Sequence, residues 1–373
     1  MAKKYYSGKK VDKLKGDIIL TYGGRNIGKS YYRKMEALKK AAESKGEDGF
    51  GYLRRRDKEI GTTAPVEYFA NMSEYIMELT SGEFNRVSYQ PRHGKELYFS
   101  SNLGEKITYS SYSIGRAFAL FNEEQYKSLE FPYIGRTIFE EVFTRTGYLL
   151  DEPTRLLNLY STIKREKEYC PIYMIANTVS KVNPYIQDWS LTNLTRQKQG
   201  TIEIYKLYQG VFDDNGNEKY YKIISEYCAE SENDSVSDKI SKAFGRQKAI
   251  ATGEWEADVF ETKKLREIKY SGNYNDIYNF VFAYNDFKFL CHLIYDRIYE
   301  TPFIYVERKS TEIQTNTRII SNQYYHSNFY SKDFIPLCRG DEVSFDLIKR
   351  GKIIYADNLT GTEFNTCLGS FRK

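Results

Sequence analysis

The sequence predicts an α/β fold with a mainly parallel sheet, followed by a smaller α+β domain. Three observations lead there. Short β-rich runs alternate with helical stretches over roughly the first two hundred residues. The first of those runs stops at a glycine-rich turn that opens directly onto a helix. After about Thr201 the pattern changes to β-rich, aromatic segments. A chain of 373 residues has room for two or three domains, and 41% hydrophobic with 28% charged residues favours a packed core over disorder.

Taken in order, Asp17-Ile-Ile-Leu-Thr-Tyr22 is a strand that ends at Gly23 and Gly24, and Lys29 to Lys45 is a helix free of Pro and Gly. Phe50 to Leu53 is a second strand, running into Arg54, Arg55 and Arg56. Leu97 to Ser111 reads as a hairpin turning at Ser101-Asn-Leu-Gly104. Tyr133 to Phe139 is a strand ending in Glu140 and Glu141. Pro153 to Tyr169 is a helix with Pro in its first turn and an apolar stripe of Leu156, Leu157, Tyr160 and Ile163. Pro171 to Ala176 is a strand closed by Asn177. Ile202 to Gln209 and Tyr220 to Tyr227 pair around the turn Asp213 to Asn217. Glu230 to Asp238 is acidic and Ser-rich, the signature of a hinge. Tyr278 to Tyr284, Phe287 to Tyr295 and Pro302 to Glu307 are the strands of the last domain. The expected division is residues 1–228, a linker at 229–262, and a domain at 263–373.

Composition excludes several classes of function. Five cysteines are widely spaced with no CxxC pair, and the three histidines (His93, His292, His326) have no metal-ligand spacing, so chemistry built on Cys or His is not expected. No apolar run approaches the ~18 residues of a membrane span, and Met1 to Lys15 is polar and lysine-rich with no secretory core. The expectation is a soluble protein of a cytoplasm. A net charge of +5 permits a nucleic-acid partner without demanding one. The 35 tyrosines are set down to base composition of the genome.

The stretch Gly23-Gly-Arg-Asn-Ile-Gly28-Lys-Ser30 fits the phosphate-binding P-loop pattern, in its expected place between strand and helix. Glycines let backbone N–H groups turn towards a phosphate, and the helix N-terminus adds positive potential. The expected site comprises Gly23, Gly24, Arg25, Asn26, Ile27, Gly28, Lys29 and Ser30. Lys29 bridges the β- and γ-phosphates of ATP, and the Ser30 hydroxyl is a Mg²⁺ ligand. Arg25 reaches the γ-phosphate or a neighbouring acid, or else stays in solvent. Glu140, at the end of a nearby strand, is assigned to Mg²⁺ and Glu141 to polarising the attacking water. Asn177 orients that water or reports loss of the γ-phosphate, or else forms a turn before Pro184. Arg165, in Ile163-Lys-Arg-Glu-Lys167, suits a finger acting on a neighbouring subunit, although a basic run on a helix is commonly a solvated face. Lys127 is a second cationic candidate for nucleotide contact, and Arg54 to Arg56 could touch phosphates of ATP or DNA.

Taken together these residues resemble the genome-packaging (encapsidation) ATPases of small tailed podoviruses of the Salasmaviridae type. The likeness rests on the P-loop with its internal Arg25, on Tyr52-Leu-Arg-Arg55, and most specifically on the block from Leu156 through Arg165 to Ala176-Asn-Thr-Val-Ser-Lys-Val-Asn-Pro-Tyr185. It is good over about residues 15 to 190 and patchier beyond, where Phe244-Gly-Arg246 and Phe280 to Glu307 take part. The resemblance implies a P-loop NTPase of the additional-strand catalytic-glutamate type and an RNase H-like C-terminal domain that has lost its metal-binding acids. It implies ATP and Mg²⁺ as cofactors. It further implies a ring of five subunits on the portal of an empty capsid in the host cytoplasm, pumping double-stranded DNA inward, with a structural RNA as a further candidate partner. Arg165 would act in trans, with Lys127 near the same intersubunit site. Glu140 stands where the family has Asp, and Lys167 stands in for an arginine.

Other readings compete. A P-loop assembly ATPase of the filamentous-phage or zonula-occludens-toxin type would carry a membrane anchor. A non-hydrolysing, nucleotide-binding portal scaffold would have no need of Glu141. An active nuclease would need convergence among acids such as Asp286, Asp296, Asp341 and Asp357.

Overall fold

In the computed structural model the residues described are 5–144, 148–178, 183–213, 215–229 and 260–371. The hinge expected at Glu230 to Asp238, the Phe244-Gly-Arg246 match and the 179–182 part of the Asn-x-Val-Ser block lie outside them. The chain divides into two compact units; described residues 5–229 fall in the first and 260–371 in the second.

The first unit is built on β1 (Ile18–Gly23), β2 (Gly49–Arg54), β3 (Arg86–Tyr89), β4 (Glu96–Ser101), β5 (Thr108–Tyr109), β6 (Gly115–Ala119), β7 (Ile134–Phe139), β8 (Ile172–Asn177), β9 (Ile202–Phe212) and β10 (Glu218–Tyr227). Their order is β3-β4-β6-β2-β7-β8-β1-β10-β9, with β5 on β4. The stretch from β6 to β10 is parallel, and antiparallel strands close both edges. Every residue of β1 is buried, as a central strand covered on both faces requires. β8 lies between β1, which feeds the P-loop, and β7, which carries the acids. That is the additional strand expected of this class. In-register pairing of Gly23 with Asn177 and of Phe139 with Met174 brings the C-terminal ends of β1, β8 and β7 side by side.

The P-loop helix Lys29–Glu43 buries Tyr32, Arg33, Ala37, Leu38 and Ala41. It stops where Gly46, at φ +89°, turns its N–H back to the Ala41 carbonyl at 2.8 Å. The helix expected over 153–169 spans Glu152–Lys164. It ends early because Arg165 leaves helical geometry (φ 35°, ψ −115°). The Lys167 ammonium then donates to the carbonyls of Phe131, Ile134 and Ile163, filling the role that further helical turns would have had.

In the second unit β11 (Tyr274–Tyr284), β12 (Phe287–Asp296) and β13 (Thr301–Arg308) form an antiparallel meander. β14 (Arg318–Ser321) adds to β11 in parallel, β15 (Phe329–Ser331) adds to β14, and β16 (Ile353–Tyr355) flanks β13. Together they make a six-stranded mixed sheet in the order β15-β14-β11-β12-β13-β16. Phe345 of helix Arg339–Lys349 and Phe364 and Cys367 of helix Asn358–Phe371 pack with Phe280, Phe282 and Phe289 in one buried cluster.

Candidate active site

The loop after β1 owes its shape to left-handed residues: Gly23 at φ +146°, Asn26 at +61° and Gly28 at +99°. Gly23 sits so close to Cys228 that an added Cβ would meet the cysteine Cβ at 3.2 Å. Lys29 leaves the first helical residue and points back under the loop. Its ammonium donates to the carbonyls of Gly23 (3.2 Å) and Gly24, and to Asn177 Oδ1 at 3.4 Å. Burial pushes its pKa down to about 8, against the influence of Cys228 and Glu140 and with that of exposed Arg25. A cation is thus stored in the loop on weak backbone acceptors, which a phosphate can displace.

Glu140 is 7% exposed. Its Oε2 accepts from the Ser30 hydroxyl at 3.1 Å, and its Oε1 accepts from the Tyr68 hydroxyl at 2.6 Å. Burial raises its pKa; the hydrogen bonds from Tyr68 and Ser30 and the charges of Lys34 and Arg54 oppose that rise. Among the described residues no basic side chain forms an ion pair with it. A buried carboxylate facing a hydroxyl, with no basic side chain in direct contact among the described residues, is a set of hard oxygen donors that fits a small divalent cation.

Glu141 sits at φ +55°. Its exposed carboxylate lines the same cleft while accepting from Arg54 Nη2 at 2.8 Å. Arg54 is shared with Glu59, also at 2.8 Å. Arg55 makes a buried two-point pair with Glu152 (2.7 and 2.8 Å) and donates to the carbonyls of Glu141 (3.3 Å) and Val142 (2.9 Å). Glu152 also accepts from Tyr185 and from the Leu149 amide. Arg54 and Arg55 are thus engaged with acids, and they hold residue 141 by side chain and backbone.

A cleft of about 730 Å³ opens over the loop. Arg25, Asn26, Ile27, Gly28, Lys29, Ser30, Glu140, Glu141 and Asn177 all line it, and Gly23 and Gly24 supply its lysine acceptors. Arg165 and Lys127 do not line it. Lys164, the last residue of its helix, pairs with Asp17 at 2.6 Å, and Asp17 precedes the first residue of β1. The six residues of β1 then separate Arg165 from the P-loop by about 20 Å. Arg165 donates to Glu130 Oε1 (2.9 Å) and to the Lys127 carbonyl (3.0 Å), while Lys127 pairs with Glu124 at 2.6 Å. These two residues share one surface at the far end of the sheet. Lys167 is half-buried on three carbonyls. It is not free to replace an arginine.

Sequence reasoning missed Tyr68 and Lys34. Tyr68 comes from the short helix Ala64–Tyr68 after β2 and Lys34 from the P-loop helix one turn beyond Ser30, and nothing in the sequence shows that the two elements meet at Glu140. The link of Arg54 to Glu141 could have been suspected, since both follow the ends of adjacent strands.

The family described as podovirus DNA encapsidation protein (Gp16) matches residues 1–206. The chain belongs to this family. Residues of the chain are 29% identical over 198 positions to the DNA packaging proteins of Bacillus phage PZA and of Bacillus phage phi29, covering 50% of this chain and 50% of each relative. The chain thus spans about half the length of the curated relatives it matches. Among solved structures, one described as the bacteriophage Phi-29 viral genome packaging motor assembly superposes with a TM-score of 0.54 at 18% identity, covering 99% of this chain and 98% of that one. At that identity the likeness speaks for the fold. Among the described residues no helix is long and apolar enough to cross a membrane.

Proposed function

We propose that this encapsidation-family chain is an ATP-hydrolysing motor that drives double-stranded DNA through the portal of a preformed phage capsid. The observation that carries the reading is the convergence of Lys29, Ser30, Glu140, Glu141 and Asn177 on one cleft at the C-terminal ends of β1, β8 and β7. The relatives' description as DNA packaging proteins supports the cargo.

In this reading the loop amides and Lys29 hold the ATP phosphates, and Asn177 lies where the γ-phosphate ends. Ser30 and Glu140 would hold Mg²⁺, which supplies charge neutralisation on the phosphates. Glu141 accepts the proton of the attacking water, and for this it must leave Arg54, so hydrolysis waits on the breaking of that ion pair. Arg165 and Lys127 lie at the wrong end of the sheet for their own site. They serve a neighbour's ATP, which calls for a ring, and we assign five subunits to it from the family likeness. The ring works on the procapsid in the host cytoplasm, with a structural RNA as a further partner. No nuclease step is assigned to residues 260–371: the Asp341 carboxylate is already neutralised by Arg318. Asp296 accepts from the Ile298 and Tyr299 amides, and Asp357 caps the following helix through the Thr360 amide. Among the described residues no group of three or more His, Cys, Asp and Glu could hold a metal.

The test is ATP turnover by the purified chain with and without double-stranded DNA. Stimulation by DNA is expected, with loss of nucleotide binding in Lys29→Ala and retention of binding without turnover in Glu141→Gln. Mixing Arg165→Ala with Glu141→Gln subunits should restore part of the activity. Normal turnover by Glu141→Gln sinks the assignment of the base, and absence of DNA stimulation sinks the motor.

A further inference from the structure

Glu140 carries one methylene more than an aspartate in the same place, and so one more rotatable bond between backbone and carboxylate. An unpinned carboxylate of that length would sample several orientations and hold a cation poorly, because Mg²⁺ demands near-ideal geometry. The structure shows what pins it. One oxygen takes the Ser30 hydroxyl, and the other takes the Tyr68 hydroxyl at 2.6 Å.

Tyr68 is held on all sides but its tip. Its ring stacks on buried Tyr52 with centroids 4.4 Å apart and planes 19° from parallel, and meets the edge of Phe69 at 4.8 Å. The Lys34 ammonium lies 4.5 Å from the ring centroid and donates to the Tyr68 carbonyl (2.8 Å) and to Asn71 Oδ1 (2.7 Å). Lys34 is itself one helical turn beyond Ser30. The P-loop helix therefore fixes the ring, and the ring fixes the acid. A phenylalanine would keep every one of these ring contacts. What the hydroxyl adds is its single hydrogen bond, and that bond goes to Glu140.

We propose that Tyr68 is a positioning residue for the metal site. It takes up the extra length of Glu140 and turns the carboxylate oxygen beside Ser30 towards the cation that accompanies the nucleotide. Tyr68 touches neither nucleotide nor metal; it acts through Glu140. The inference rests on the phosphate-site reading above, but not on hydrolysis or on DNA.

The experiment uses the full chain and a fluorescent ADP (N-methylanthraniloyl-ADP), titrated with Mg²⁺ and, separately, in EDTA. In Tyr68→Phe the affinity in EDTA and the melting temperature should stay at wild-type values, while the Mg²⁺ concentration for half-maximal enhancement of binding rises about tenfold. In a Glu140→Asp background, whose carboxylate is too short to reach the phenol, the same substitution should change nothing further, because the two act as one unit. Should Tyr68→Phe fold poorly, Asn71→Ala removes one holder of Lys34 without touching the ring, and a smaller shift in the same direction is expected. An unchanged Mg²⁺ requirement in Tyr68→Phe overturns the proposal, as does a shift of equal size in the Glu140→Asp background. Turnover that fails to respond to DNA while the Mg²⁺ shift is present removes the motor and leaves Tyr68 its role.

Discussion

Two of the buried carboxylates, one in each unit, are treated in opposite ways. Glu140, in the first unit, is met by two hydroxyls and forms no ion pair among the described residues. Asp341, in the second, is 0% exposed and faces the Arg318 guanidinium at 2.9 Å, the Leu337 amide at 2.9 Å and the Tyr278 hydroxyl at 2.8 Å. Arg318 in turn spends its remaining donors on Ile319, Phe329, Ser331 and Ile335. One acid keeps its charge available for a cation that arrives with a ligand. The other has a built-in cation and is finished as a structural joint between β11, β14 and the helix Arg339–Lys349. The lesson is that an acid's chemistry is decided by what compensates it, and no spacing rule in a sequence reports that.

The largest effect should come from breaking the finished joint. Asp341→Ala or Arg318→Ala leaves a buried charge alone and should destabilise residues 260–371 by about 3–5 kcal/mol, whereas Arg318→Met with Asp341→Leu should recover most of the loss. Urea unfolding of the full chain, followed by hydrogen exchange over these residues, reads both. Glu140→Gln should do the reverse. Burial raises the Glu140 pKa, so its ionisation opposes folding. That cost is absent at acid pH, where the carboxyl is protonated folded and unfolded alike. It grows as pH rises from about 4.3, the unfolded value, through the raised folded value. At neutral pH the glutamine variant should therefore be as stable as the parent or slightly more so, by up to about 1 kcal/mol, and should lose its response to Mg²⁺. A loss of stability matching that of Asp341→Ala would break the comparison.

Lys29 sharpens it from the cationic side. Burial holds its pKa near about 8 in the free protein. A bound phosphate favours the charged form, so nucleotide binding above that pH must take up a proton. Affinity for ADP should be flat below about pH 8 and then fall by up to tenfold per pH unit above it. Calorimetry in buffers of different ionisation enthalpy should show proton uptake at pH 9 and little at pH 7. An affinity that rises with pH over this range would mean that Lys29 does not meet the phosphates.

Much of the frame was legible because it depends on local pattern. β1, β2, β7 and β8 announced themselves as apolar runs with punctuated ends, and the P-loop lay where its glycines said. β3 and β6 did not, being four and five residues long. Nor did the helices 339–349 and 358–371, whose apolar residues were absorbed into a β-rich impression. At the site, Gly23 to Ser30 with Glu140 and Asn177 could be gathered from the rule that parallel strands present their C-terminal ends together. The partners of those residues could not. Tyr68 reaches Glu140 across 72 positions of sequence, and Arg55 reaches Glu152 across 97. Such pairs exist only once the sheet has formed. The end of the helix at Lys164 escapes the sequence for a related reason. The residues after it are good helix formers, yet Arg165 leaves helical geometry and Lys167 bonds to the carbonyls of Phe131 and Ile134, some thirty positions back, and of Ile163.

The smallest effect expected concerns Arg165 and Lys127. Their pairs with Glu130 and Glu124 are exposed, with the glutamates 78% and 66% accessible. Exposed pairs of this kind are worth about 0–1 kcal/mol, so Arg165→Ala and Lys127→Ala should leave the melting curve of the isolated chain almost unchanged. That near-silence is what makes them informative. Arg55, in the same unit, is an arginine whose removal would unfasten Glu152 and the backbone of Glu141, so lost activity there would say nothing about catalysis. Arg165 holds nothing that its own subunit needs. If Arg165→Ala abolishes ATP turnover in the assembled protein while nucleotide binding and stability of the free chain persist, the missing contact must lie on another copy. If turnover survives, the exposed guanidinium is a solvated surface group, and the far end of the sheet has no part in the chemistry.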